Sequence, residues 1–200
     1  MIDATGFITA GGRSSRMGKD KAWLELGGRA MIEHVIAALE PICEVTIIAN
    51  SPRYERLGFP VIADATSDVG PLEAIRTALS HAITSRVVLV GCDLPFVTSD
   101  LFKRLLSISG NQCATVPFGA DGNLEPLCAI YCRKALPVVT NLIAEGKRKV
   151  SLLFDRVSTR FVRFDELVDL KGSQLFFENV NTHEDYLRAA QKLLKRDRTD

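Results

Sequence analysis

Seven short apolar runs alternate with longer runs whose apolar residues recur every three or four positions, and this alternation constrains the fold more than any other feature of the chain. The short runs, at 6–9, 45–49, 61–63, 86–91, 113–117, 126–131 and 159–164, read as β-strands. Helical spacings lie between them: Met31, Val35 and Leu39; Leu72, Ile75 and Leu79; Leu101, Leu105 and Ile108; Val138, Leu142 and Ile143. Thr98 or Ser99 is placed to cap the third of these helices, with Asp100 in its first turn. A last helix is expected over 183–194, with Thr182 as N-cap and Glu184 and Asp185 at its positive end, before a charged and frayed tail at 195–200. Strands alternating with helices predict an α/β fold, a Rossmann-like three-layer αβα arrangement around a mostly parallel central sheet. With 200 residues, 46% of them hydrophobic, the chain can close one sizeable core, so a single domain over 1–200 is expected.

The charge balance excludes whole classes of partner. A formal net charge of +1 gives no overall pull toward nucleic acid or an anionic membrane surface. No charged start followed by an apolar segment opens the chain, and no apolar run is long enough to span a bilayer. A cytoplasmic protein without nucleic-acid or membrane partners is the expectation. Cys43, Cys92, Cys113, Cys128 and Cys132 form an odd set without C-x-x-C spacing and read as small hydrophobes rather than a disulfide framework. His34, His81 and His183 are scattered, so no zinc site is expected.

The positive charge that matters is local. Residues 9–21 read Thr-Ala-Gly-Gly-Arg-Ser-Ser-Arg-Met-Gly-Lys-Asp-Lys, directly after the apolar Gly6-Phe7-Ile8. Gly11, Gly12 and Gly18 permit positive φ and close backbone approach, so that successive N–H groups can converge on anionic oxygens. Arg13, Arg16, Lys19 and Lys21 put four cations in nine residues, opposed only by Asp20. Arginine forks suit phosphate oxygens, and a lysine ammonium acts as a point charge. The segment reads either as a phosphate cradle or as a solvated surface turn. Two familiar phosphate loops are excluded: Gly12 and Gly18 are separated by five residues where a Walker A loop has four, and G-x-G-x-x-G spacing is missing.

Several candidate loops, at 10–21, 50–56, 65–71, 94–97 and 120–124, follow the carboxyl ends of strands, where the ligand crevice of an open α/β sheet lies. Asp93 ends the strongly apolar strand at 86–91 and reads as a magnesium ligand or as a turn aspartate before Leu94-Pro95. Gly70-Pro71 opens a helix whose first N–H groups are free to meet an anion. Asn179 and Asn181, two apart on an extended segment, point the same way and can turn both amides to one ligand, unless they belong to a turn capped by Thr182. The basic run Lys147-Arg148-Lys149 follows a helix end, where cations complement the dipole.

With these residues in view, the chain resembles nucleotidyltransferases bearing the signature L/T-A-G-G-x-S-x-R-M-G-x-D-K, most closely the molybdenum cofactor guanylyltransferases. Ala10, Gly11, Gly12, Ser14, Arg16, Met17, Gly18, Asp20 and Lys21 match in register, while Thr9 stands where leucine is usual. Further segments similar to the family follow in order: Gly70-Pro71-Leu72, Gly91-Cys92-Asp93-Leu94-Pro95, Gly146 to Val150, and Phe177-Glu178-Asn179-Val180-Asn181-Thr182, with His183 replacing a common proline.

The resemblance implies transfer of GMP from GTP to the terminal phosphate of molybdenum-bearing molybdopterin, releasing pyrophosphate. It implies Mg2+ on Asp93 and catalytic roles for Arg16, Lys21 and Asp93. A nucleotide site is implied at Thr9, Ala10, Gly11, Gly12, Lys21, Asn50, Asp64, Gly70 and Asp93, with Asp68 competing for the role of Asp64. Arg148, Asn179 and Asn181 are implied to hold the pterin, and transient docking to cofactor-delivery proteins or molybdoenzymes would follow. Relatives that transfer CMP resemble L-A-A-G at the loop start; glycine at position 11 leaves room for a larger purine. The alternatives are a cytidylyltransferase for the same pterin, a sugar-1-phosphate nucleotidyltransferase, and a non-enzymatic nucleotide-binding partner protein.

Overall fold

The computed structural model describes residues 3–11, 20–63 and 70–196. In chain order the elements are β1 (Ala4–Thr9), β2 (Glu25–Leu26), β3 (Arg29–Ala30), α1 (Met31–Leu39), β4 (Glu44–Ile48), β5 (Val61–Ile62), α2 (Pro71–His81), β6 (Arg86–Gly91), α3 (Ser99–Ile108), β7 (Ala114–Pro117), β8 (Cys128–Cys132), α4 (Leu136–Ala144), α5 (Ser151–Phe154), β9 (Thr159–Val162) and α6 (His183–Arg196). The main sheet has seven strands in the order β5-β4-β1-β6-β8-β7-β9. All pair in parallel except β8, which runs antiparallel to both β6 and β7. All seven expected strands are therefore present, in the mostly parallel α/β arrangement that the pattern predicted.

Alternation along the central strands builds two apolar layers. Ile8, Val88 and Val90 face α1 and α3, while Phe7, Val87 and Leu89 face α2 and α4. All six are fully buried, each contributing roughly 1.5–3 kcal/mol by area. Strands covered on both faces read as continuous apolar runs, which is why 86–91 stood out in the sequence. Gly6 is required by packing, because a Cβ there would lie 2.8 Å from Cys43 Sγ and 3.3 Å from the Glu44 carbonyl.

Helix ends follow their local chemistry. Thr98 is the N-cap of α3, its Oγ1 accepting from Leu101 N, whereas Ser99 donates to the Ala38 carbonyl and ties α3 to α1. Thr182 Oγ1 accepts from Asp185 N, and Asp185 accepts in return from Thr182 N, so a reciprocal box opens α6 even with His183 in place of proline. The start of β8 falls at Cys128 rather than at 126, because residues 126 and 127 form a turn closed by Cys128 N donating to the Glu125 carbonyl.

Three elements, β2, β3 and α5, go beyond the expected set. The β2–β3 hairpin turns at Gly27 and Gly28, both with positive φ, and α5 is a single short turn of helix. A third, smaller apolar cluster joins the hairpin to the C-terminal segment through Leu26, Met31, Phe96, Val180 and Ala189. Four cysteines are buried, Cys113 is half-buried and all five are free thiols, with Cys113 and Cys132 facing each other across β7 and β8. No helix among the described residues is long and apolar enough to cross a membrane.

Candidate active site

Three strands deliver their ends side by side. Thr9 is level with Ile48 on one side and Gly91 on the other, and the ladder continues as Ala10 N donates to the Ile48 carbonyl and Cys92 N to that of Thr9. Thr9, Ala10, Gly11, Asn50 and Asp93 thus leave the sheet along one edge. Gly70 is the N-cap of α2, with φ +73°, directly before Pro71. Gly11 has φ +83°, a left-handed backbone that favours glycine, and among the described residues no atom lies within 4 Å of where its Cβ would stand. Gly12, Arg16 and Asp64, together with Arg13, Lys19 and Asp68, lie outside the described residues.

Lys21 is the meeting point. Its ammonium donates to Asp93 Oδ2 at 2.8 Å and to Asn181 Oδ1 at 2.7 Å, joining residues 72 and 160 positions away. Asp93 is held in turn: a Cβ on Gly91 would sit 2.3 Å from Asp93 Oδ1, so only glycine lets this carboxylate fold back over the strand end. The Asp93 carbonyl also accepts from Val180 N at 2.9 Å. Val180 is buried in the third cluster while Asn179 and Asn181 on either side are exposed, which fixes the direction of both amides. They meet different partners, however. Asn181 reaches Lys21, whereas Asn179 donates to the Phe177 carbonyl and hydrogen-bonds Glu125.

A second layer sets the position of Lys21. Asp20 caps the 3-10 turn Lys21–Trp23 by accepting from Ala22 N, and its other oxygen accepts from the Tyr54 hydroxyl at 2.6 Å. Tyr54 is fully buried, and burial followed by the bond to Asp20 raises its pKa. Its ring meets Trp23 at 5.4 Å between centroids, and the Arg56 guanidinium covers the same indole at 3.8 Å. Neither Tyr54 nor its bond to Asp20 was apparent in the sequence, since an aromatic residue in a turn gives no sign of what it faces. Tyr54→Phe keeps the ring and removes the bond. The expected result is a fall in kcat of about 3- to 10-fold with little change in thermal midpoint, read by steady-state kinetics and melting on the same preparation.

On the far side of Asp93 lies Glu125, also missed by the sequence reading. Burial, reinforced by the carboxylates of Asp121 and Asp93, pushes its pKa up to about 7 against the opposing bond from Asn179. Arg148 follows Gly146, a φ +72° residue that ends α4, and it is exposed with no hydrogen bond or ion pair among the described residues. Arg148 is therefore not brought to Asp93 by any contact. Cys92, next to Asp93, is no nucleophile: burial first, then Asp93, push its thiol up to about 12, so it stays protonated at neutral pH.

Among the described residues no three His, Cys, Asp or Glu side chains gather as a metal cage. What the site offers is one carboxylate and one amide oxygen converging on a single cationic atom, a hard-oxygen pair suited to a small divalent cation completed by phosphate and water.

Residues 6–159 match the MobA-like NTP transferase domain family. A probable molybdenum cofactor guanylyltransferase of Carboxydothermus hydrogenoformans is 36% identical, with 98% of this chain and 97% of that protein covered. The molybdenum cofactor guanylyltransferase of Serratia proteamaculans is 34% identical over 95% of each chain. Among solved structures, molybdopterin-guanine dinucleotide biosynthesis protein A from Archaeoglobus fulgidus superposes with a TM-score of 0.82 at 25% identity, covering 96% of this chain and 99% of its own.

Proposed function

The chain belongs to the MobA-like NTP transferase family, and on that premise we propose that it transfers GMP from GTP to molybdenum-bearing molybdopterin, with release of pyrophosphate. The observation that carries this reading is the convergence of Lys21, Asp93 and Asn181 at the carboxyl edge of the sheet. An oxygen of the acceptor's terminal phosphate attacks the α-phosphorus, the bond from that phosphorus to the bridging oxygen breaks, and its electron pair leaves with pyrophosphate. Two anions must be held in line and the developing charge neutralised, so positioning and electrostatics do most of the work.

Lys21 supplies positive charge to the α-phosphate and the leaving group, exchanging its Asp93 and Asn181 partners for phosphate oxygens as nucleotide enters. Arg16 has the same role in this reading. Magnesium held by Asp93, with the Asn181 carbonyl as a second oxygen, would draw charge from the phosphates. Thr9, Ala10, Gly11, Gly12, Asn50, Asp64 and Gly70 are assigned to the nucleotide, and Asn179 with Arg148 to the pterin. Gly11 favours guanine because any side chain at that position would stand in the open space over the loop. No covalent intermediate is needed, in keeping with the protonated Cys92 thiol.

The test is pyrophosphate release with each of the four NTPs and magnesium, with and without molybdopterin. The expected outcome is release with GTP that depends on the acceptor. Release with CTP alone rejects the guanylyl reading, and binding of nucleotide without release in any combination rejects an enzyme.

A further inference from the structure

We propose that Cys113 and Cys132 form a dithiol redox site, which low-molecular-weight disulfides oxidise to a cross-strand disulfide locking β7 to β8. Their sulfurs face each other at 2.8 Å, already close to the roughly 2.05 Å of a sulfur–sulfur bond. The backbone stands where a bridge needs it. Ala114 is paired with Tyr131, so Cys113 and Cys132 are the next opposed positions of the antiparallel ladder, and Cys132 N donates to the Cys113 carbonyl at 2.8 Å. Opposed residues of a hydrogen-bonded antiparallel pair have Cα atoms about 5.5 Å apart, inside the roughly 4.4–6.8 Å that disulfides span. Closing the bond therefore asks for rotation of two side chains and leaves the strands in place.

The other three thiols lack both a partner and an approach. Among the described residues only Cys113 and Cys132 bring sulfur to sulfur. Cys43, Cys92 and Cys128 are buried, and burial pushes the Cys43 thiol up to about 11, that of Cys92 up to about 12 and that of Cys128 well above its ordinary value. They stay protonated and out of reach of an oxidant. Within the pair the two sulfurs differ. Cys113 is half-buried, whereas Cys132 is only 8% exposed and burial raises its pKa. An incoming disulfide therefore meets Cys113 first, and Cys132 is the sulfur that resolves the intermediate.

The exchange balances with the oxidant alone. Cys113 Sγ, as thiolate, attacks one sulfur of the small disulfide, whose S–S bond breaks and releases a first thiolate. Cys132 Sγ gives its proton to water and attacks the Cys113 sulfur, and the second small thiolate leaves. Two protein thiols are oxidised, and one small disulfide is reduced to two thiols that take up the two protons. The bridge stands at the end of the sheet away from Asp93, since Cys132 is level with Arg86 at the start of β6 and Asp93 follows the end of that strand. It closes a covalent loop that runs along β7, through the turn joined by Phe118 and Leu124, and back along β8. Lys21 and Asp93 lie outside that loop.

The experiment incubates the reduced, folded wild-type chain with oxidised glutathione, quenches with acid and alkylates the remaining thiols with N-ethylmaleimide in denaturant. Intact mass and peptide mapping then count and place the thiols. The expected result is that two of the five cysteines escape alkylation, no glutathione is retained, and one cross-linked peptide joins residues 113 and 132. Dithiothreitol should restore all five thiols. Cys132→Ser removes the resolving sulfur and should trap one glutathione on Cys113, whereas Cys113→Ser should trap none. A wild-type chain that keeps all five thiols overturns the proposal, as does glutathione left on Cys113 or a bridge between any other pair. The wild-type result decides by itself, so a serine variant that fails to fold leaves the test intact.

Discussion

Asp93→Ala is expected to lower kcat for GMP transfer by about 100- to 1,000-fold, the range seen when one preorganised electrostatic element is removed from a transition state. The carboxylate stands at the exit of a strand whose four preceding apolar residues are fully buried, so its location is set by the sheet and not by a mobile loop. Gly91 leaves room for Oδ1, and Lys21 holds Oδ2. Removing the side chain frees Lys21 of a counter-ion but leaves the Asp93 carbonyl in place for Val180 N, so the Asn179–Asn181 segment keeps its anchor. The loss in stability should stay near about 1 kcal/mol, since the pair is partly exposed. The decisive measurement is rate against magnesium concentration. A purified variant with near-normal magnesium-dependent turnover would show that Asp93 neither holds the metal nor orders Lys21.

The core of the fold was legible because its signal is dense. Val87 to Val90 alternate between two covered faces, so every residue of the strand is apolar, and a run of that kind admits few readings. The direction of β8 was not legible, since an antiparallel strand inside a parallel sheet has the same composition as its neighbours. The β2–β3 hairpin has two-residue strands, too short for any period; the Gly27-Gly28 pair was its only local sign. The four-residue α5 falls below the length at which helical spacing can repeat.

The site was legible where a residue's place follows from its own element. Asp93 at a strand end and Lys21 beyond a glycine loop are of this kind. Tyr54 and Glu125 are not, because each derives its meaning from what faces it across the fold: Asp20 is 34 positions from Tyr54, and Asn179 comes to Glu125 from the far end of the chain. The paired asparagines fall between these cases. Two-residue spacing put both amides on one side, able to face one ligand, whereas in the folded chain Asn181 reaches the lysine and Asn179 the Phe177 carbonyl.

Lys21→Met should lower kcat by about 100-fold or more while thermal stability stays near wild type, because methionine keeps the length of the stem and loses only the charge. The ammonium makes two side-chain bonds, to Asp93 and Asn181, and both of those partners remain at the surface of the site with access to water when it is gone. Arginine should restore little: its planar fork is larger than the point charge that two oxygens now share, and it cannot sit between them in the same way. The sharper consequence concerns Tyr54. If Tyr54 acts by holding Asp20, and Asp20 by setting the turn from which Lys21 projects, then Tyr54→Phe has nothing left to position once the ammonium is removed. The double variant should therefore be no slower than Lys21→Met alone, giving a coupling energy equal to the full Tyr54→Phe effect, about 1 kcal/mol. Additive losses in the double variant would show that the tyrosine serves the reaction by another route.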